Sequence, residues 1–311
     1  MNKWYTEYSE FLRRLFPEHK MQKISVNAGF SCPNRDGTVG TGGCIYCNNS
    51  TFSPAYCNGD SSVSAQLEAG RAFFGNKYPD MCYLAYFQSY TSTYGDTGRL
   101  EEIFCEALGT PGIEGLVVGT RPDCIDTDIL SLLSSLNQDN GRIIVEYGVE
   151  SMHDKTLRLI NRHHDAQCAE NAIVRTSEAG IACGIHLIMG LPGETEADML
   201  DTVRKISSLP VDTVKFHQLQ VVRNTPLADI YRRQQNNEDC GYPLVTPFSL
   251  DSYIKLCAKI VRVLPRRIAI ERFTAQSPAN LLIAPSWGIK NYQFVHLLHK
   301  ELEAGRYNSE L

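Results

Sequence analysis

Cys32, Cys44 and Cys47 follow one another as Cys-x11-Cys-x2-Cys on a loop that comes after a strand-like segment. Three thiolates can hold a metal centre and leave one coordination position open, as reaction chemistry requires, whereas a purely structural site is closed. Between the first two cysteines stand Gly37, Gly40, Gly42 and Gly43, which let the backbone turn tightly and approach a bulky group. Other readings of this loop stay open. Zinc could take the same thiolates with Cys57 as a fourth ligand, although zinc ribbons pair two Cys-x2-Cys knuckles and this chain has one. The glycines could cradle a phosphate, but the Gly-Lys-Ser/Thr ending of a P-loop is missing. The plainest reading is three structural thiols.

Further polar residues lie on strand-like segments. In Glu146-Tyr147-Gly148-Val149-Glu150-Ser151, period-two alternation puts Glu146, Gly148 and Glu150 on one face. Carboxylates pointing inward need partners, for Glu146 an arginine such as Arg121. His186 alternates inward with Gly184 and Ile188, where a lone strand histidine is most simply a satisfied core residue. His217 and the adjacent His163 and His164 carry less; side-by-side histidines share no face and make no metal pair. In the tail, Arg266, Arg267, Glu271, Arg272, Trp287 and Lys290 suit stacking and phosphate binding, against the default of a charged, partly exposed tail. Cys82, Cys105, Cys183 and Cys257 fall within elements and should pack as small apolar side chains.

Six alternating units position these groups. Strands are expected at Gln22–Asn27, Met81–Gln88, Gly115–Thr120, Ile143–Glu150, Ile181–Met189 and Thr213–Val221. Helices are expected at Ser64–Phe74, Gly98–Leu108, Asp126–Leu136, Asp165–Ala179, Glu194–Ser207 and Pro226–Gln235. A first helix carries Tyr5, Tyr8, Leu12 and Leu15 before Pro17 stops it. Parallel neighbours need crossover helices, and right-handed crossovers without a reversal curl a sheet toward a barrel. A doubly wound open sheet is the alternative. After Cys240 come a helix (Leu250–Val263), a short strand (Arg267–Glu271), a loop and a last helix (Asn291–Leu302).

The 311 residues carry 30 Lys+Arg against 35 Asp+Glu, a net charge of −5, and are 43% hydrophobic. These values exclude a disordered chain and argue against a protein that coats nucleic acid by bulk charge. The polar N-terminus and the lack of a membrane-length apolar run predict a cytoplasmic protein with no membrane partner. There the 11 cysteines stay reduced, and an odd count fits a disulfide framework poorly.

Cys44-Ile45-Tyr46-Cys47 resembles the Cys-x-aromatic-Cys half of the radical S-adenosylmethionine signature. Eleven residues, rather than the common three, separate its first two cysteines, as in the branch containing the Elongator catalytic subunit. The run from Gly29 to Gly37 looks closer still to the YhcC-like bacterial family. The likeness continues through Leu84–Thr93, Val118–Asp123, Asn161-Arg162, Gly190–Glu194 and Leu282–Pro285, nearly the whole chain in order.

The resemblance implies a partial (β/α)6 barrel of the TIM type, its open side covered by N- and C-terminal extensions. The divisions would be 1–20, 21–239 and 240–311. It implies a 4Fe–4S cluster on Cys32, Cys44 and Cys47 that binds S-adenosylmethionine, and a reductant such as flavodoxin or ferredoxin. One electron would cleave S-adenosylmethionine to a 5′-deoxyadenosyl radical that abstracts hydrogen from a substrate. Tyr46 would shield the cluster, touch adenine or simply pack. Where relatives carry a glycine-rich motif for the methionine ammonium, this chain departs with Phe87-Gln88-Ser89-Tyr90, leaving the Gln88 amide oxygen to accept. Glu146 and Glu150 would meet ribose or the ammonium, Arg162 the methionine carboxylate, and His186 the ribose or substrate. The Elongator likeness implies RNA as one substrate, though without an acetyltransferase domain its full chemistry would not carry over. The competing account is a zinc-stabilised RNA-binding module without radical chemistry.

Overall fold

The chain begins with a two-residue strand, β1 (Thr6–Glu7), and a short helix, α1 (Tyr8–Leu15). Six strands then alternate with helices: β2 (Lys20–Val26), α2 (Val63–Gly75), β3 (Met81–Phe87), α3 (Thr97–Leu108), β4 (Ile113–Thr120), α4 (Thr127–Gln138) and β5 (Arg142–Glu150). The series continues with α5 (Asp154–Leu159), α6 (Ala166–Glu178), β6 (Ala182–Met189), α7 (Glu196–Ser207) and β7 (Thr213–Gln218). The rest comprises β8 (Val221–Val222), α8 (Pro226–Gln235), α9 (Leu250–Val263), β9 (Ala269–Arg272), β10 (Leu282–Ala284) and α10 (Asn291–Tyr307). This computed structural model describes residues 3–51, 54, 56–57, 59–75, 81–138 and 142–307.

The six strands β2 to β7 lie in chain order, all parallel, and β9 and then β1 extend the β7 edge to give eight strands. No strand-order reversal occurs, so the doubly wound alternative is excluded. Side chains show the curl: Lys23 on β2, at one edge, reaches Glu271 on β9, near the other, at 2.7 Å. The partial barrel expected from the sequence is therefore present, extended by the tail strand expected at Arg267–Glu271, here β9, and by β1, which was not expected.

Outward residues of each strand, such as Phe87, Val118, Val145, Ile185 and Phe216, pack under the helices in the main core. The inner face is layered. At the amino ends, Leu84, Tyr86, Val117, Ile144 and Ala269 meet Phe11, Leu12 and Phe16, so α1 plugs the barrel floor rather than merely covering its side. Against this apolar layer the inner face becomes ionic, with Lys23, Glu146, Lys215 and Glu271.

Three local differences from the expected elements have clear causes. Tyr5 precedes the first helix because residues 6–7 pair with β9 instead. The last barrel strand stops at Gln218, and Val221–Val222 turns away to pair antiparallel with β10. Helix α5 was not expected from the sequence; it fills the crossover between β5 and α6.

Candidate active site

The cysteine loop is held by its own backbone and by the segment after α5. Arg35 N–H donates to Cys32 O at 2.8 Å, Gly43 N–H to Asn34 O at 2.7 Å and Cys47 N–H to Cys44 O at 3.0 Å. Asn34 Nδ2 donates to Asn161 O at 2.6 Å, and Asn161 Nδ2 returns to Gly43 O at 2.8 Å. The loop thereby brings Cys44 beside Arg162. Two donors, Asn34 Nδ2 and Arg162 Nη1, each lie 3.5 Å from the buried Cys44 Sγ. Both N–H groups are placed to donate to this sulfur, as outer partners of a metal-bound sulfur do.

Cys32, Cys44 and Cys47 line one cavity at the carboxyl ends of the strands. Their three sulfurs do not all lie within 4.8 Å of one another. A single zinc, with bonds of about 2.3 Å, needs sulfurs about 3.8 Å apart; a four-iron cluster takes each cysteine on a different iron and suits a wider triangle. Cys57 stands apart from the cavity and donates its thiol to Ser25 O at 3.0 Å. Among the remaining thiols, Cys183 and Cys257 are buried as expected, but Cys105 is exposed on α3.

The other residues singled out in the sequence, Tyr46, Gln88, Glu146, Glu150, Arg162 and His186, line the same cavity. Arg162 is 6% exposed; it donates to Gly148 O and lies 3.8 Å from Glu150, and its Nε is buried without an acceptor. Glu150 has a φ of +66° at an irregularity where β5 shifts register against β6. Such strain in a non-glycine residue persists where the surroundings over-determine it. Burial raises the Glu150 carboxyl above its usual range, opposed by Arg162 and by a hydrogen bond from Tyr46. A Cβ on Gly148 would sit 2.8 Å from Arg162 Nη2, so glycine there leaves the arginine its place. Among the described residues the Gln88 amide has no side-chain hydrogen bond.

Below this lies the ionic layer. The Glu146 carboxylate accepts from Lys23 at 2.5 Å, Lys215 at 3.1 Å and His186 Nε2 at 2.9 Å. The Arg121 pairing open from sequence is absent: Arg121 forks onto Asp123 instead. Glu271 binds Lys23 at 2.7 Å and Lys215 at 3.0 Å. Burial alone would raise Glu146, but Lys215 and Lys23 outweigh it and hold the carboxyl well below its usual range. Burial, helped by Lys215 and opposed by Glu146, pushes His186 down to about 4. Lys215 is also lowered by burial, yet Tyr86 Oη, Glu146 and Glu271 surround its Nζ, and only an ammonium offers three donors.

Residues 36–206, more than half of the chain, match the profile of the radical SAM superfamily, SAM being S-adenosylmethionine. The chain belongs to the radical SAM superfamily. Residues 211–304 match the radical SAM C-terminal domain, which includes β9. Protein YhcC of Escherichia coli K12 is 35% identical over 268 residues, covering 86% of this chain and 82% of that protein. YtqA of Bacillus subtilis is 31% identical over 285 residues, covering 92% and 85%. Among solved structures, the archaeal Methanocaldococcus infernus Elp3 with an N-terminal deletion superposes with a TM-score of 0.66 at 16% identity. That match covers 92% of this chain and 63% of the Elp3 chain, and at such identity it shows the fold alone.

Within this radical SAM fold the sequence reading missed part of the inner wall. Nothing local distinguishes Lys23 from any strand residue, and the sequence pattern around Glu271 and Arg272 is that of a charged, partly exposed tail. The available signal was alternation: Lys23 and Lys215 fall on the inward phase of their strands, where an unpaired lysine would be costly. Among the described residues no helix is long and apolar enough to cross a membrane.

Proposed function

We propose that this chain is a radical SAM enzyme that cleaves S-adenosylmethionine reductively and removes a hydrogen atom from an organic substrate. The observation that carries the reading is the convergence of Cys32, Cys44 and Cys47 with Arg162 and Glu150 on one cavity. The cysteines would hold a 4Fe–4S cluster, with Asn34 and Arg162 donating to Cys44. Held there, such a cluster would supply the single electron needed for reductive cleavage of the sulfonium carbon–sulfur bond to methionine and a 5′-deoxyadenosyl radical.

The chain's own residues bind and orient. Arg162 has a buried Nε without an acceptor and a planar fork that suits the methionine carboxylate. The free amide oxygen of Gln88 accepts from the ammonium, and Glu150 takes the ammonium or ribose hydroxyls. Tyr46 packs against an apolar cluster containing Ile160 and Ile188 and screens the cysteines from water. Glu146, its oxygens already taken by Lys23, Lys215 and His186, forms with His186 the floor on which ribose or substrate rests. The reductant is a flavodoxin- or ferredoxin-type protein, and RNA enters as a substrate through the Elongator likeness.

The test is anaerobic purification and cluster reconstitution followed by iron and sulfide analysis. The expected result is about four irons and four sulfides per chain, lost in Cys32→Ala, Cys44→Ala and Cys47→Ala and kept in Cys57→Ala. Stoichiometric zinc without iron would instead establish the zinc-stabilised module.

A further inference from the structure

Charges in the ionic layer pair two against two, Lys23 and Lys215 against Glu146 and Glu271. His186 is held neutral there. Arg272 is left over. It reaches the interior through an irregular register: Val214 pairs with Ile270 but Lys215 with Arg272, so Glu271 is the extra residue. A bulge of this kind re-aims side chains, and here both Glu271 and Arg272 face inward. Among the described residues Arg272 forms no ion pair, and its Nε is buried without an acceptor.

Beside it stands His217, which lines the cavity with its ring 5.3 Å from that of His186. Its Nε2 is also buried without a partner. Burial and then the nearby Arg272 charge push its imidazole well below the ordinary range, so it stays neutral and keeps an N–H to donate. A half-buried guanidinium with no counter-charge, its Nε buried beside an unused imidazole, is a donor set that a ligand would complete. A planar fork and one further donor match a carboxylate or a phosphate.

We infer that Arg272 and His217 form a binding site for an anionic group, carboxylate or phosphate, on the substrate. The inference rests on the proposed radical SAM reading, in which Arg162 holds the cofactor's own carboxylate and Arg272 is free for the second molecule.

Calorimetric titration of the reconstituted full chain tests it with two pairs of probes: uridine 5′-monophosphate against uridine, and succinate against succinamide. The charged member of at least one pair should bind, and its neutral counterpart should not. Arg272→Gln should weaken that binding at least tenfold, about 1.4 kcal/mol, with Arg272→Lys intermediate and His217→Ala also weakened. S-adenosylmethionine binding should be unchanged in Arg272→Gln, and thermal stability equal to wild type or higher, since a half-buried charge with no ion pair is removed. Binding of the nucleotide alone assigns a phosphate-bearing substrate; binding of succinate alone assigns a carboxylic acid. The inference is overturned if neither anion binds, if Arg272→Gln binds as wild type does, or if that variant melts lower, which marks a structural arginine. If S-adenosylmethionine fails to bind the wild type while an anion still does, the radical SAM reading fails and the anion site stands.

Discussion

Replacing His186 by glutamine should flatten the pH dependence of stability on the acid side of neutrality. Folding holds this imidazole neutral down to about pH 4, while in the unfolded chain it protonates at the ordinary value of 6.5. Between those values the unfolded state binds the extra proton, so stability rises with pH across the window and levels off above it. The window spans roughly 2.5 pH units at 1.36 kcal/mol each, so the contribution is about 3 kcal/mol. Glu146 acts in the same direction but lower: its depressed carboxyl adds stability above the unfolded glutamate value of about 4.3 and loses it as pH falls through the folded value. Urea unfolding of wild type and His186→Gln at half-unit steps from pH 4 to 7 separates the two. The variant should lose the share of the slope that His186 contributes between pH 4.5 and 6.5, about 3 kcal/mol over the window, and keep the share of His164 and His217, which burial also depresses. Parallel curves would show that His186 titrates alike in both states, and the picture of a neutral histidine under Glu146 would be wrong.

Glu146→Gln removes the carboxylate from three charged or polar donors and should cost about 3–5 kcal/mol in urea unfolding, because Lys23 and Lys215 are left short of counter-charge. Phe11→Ala opens the plug beneath the barrel, where Phe11 is 5% exposed, and should cost about 3–5 kcal/mol by the same measurement. Gly148→Ala places a methyl 2.7 Å from Glu150 Oε1 and 2.8 Å from Arg162 Nη2, so these side-chain ends must shift. Stability and iron content should change little, while S-adenosylmethionine affinity, read by equilibrium dialysis, falls at least tenfold.

Local signals in the sequence carried the repeating core well. The helix expected at Leu250–Val263 lies at those residues, and the six central strands agree with expectation to within a few positions at their ends. Each has a strong internal pattern and a turn residue at its boundary. The cysteine loop was legible for a similar reason, since ligand spacing is a property of the chain itself. What was missed depends on pairing between distant segments. Residues 6–7 are extended because β9 offers a free edge, and nothing near Tyr5 announces that partner. Glu271 and Arg272 read as exposed charges because a register shift against β7 turns both inward. Lys23 and Glu271 become partners only when the sheet curls, and curl is a property of the whole sheet.

The central claim meets its most direct test in the products formed from S-adenosylmethionine. Reconstituted protein, reduced with dithionite under anaerobic conditions, should convert it to methionine and 5′-deoxyadenosine in equal amounts, and Cys44→Ala should form neither. A wild-type preparation with full iron and sulfide content that binds S-adenosylmethionine yet yields no 5′-deoxyadenosine would contradict the account.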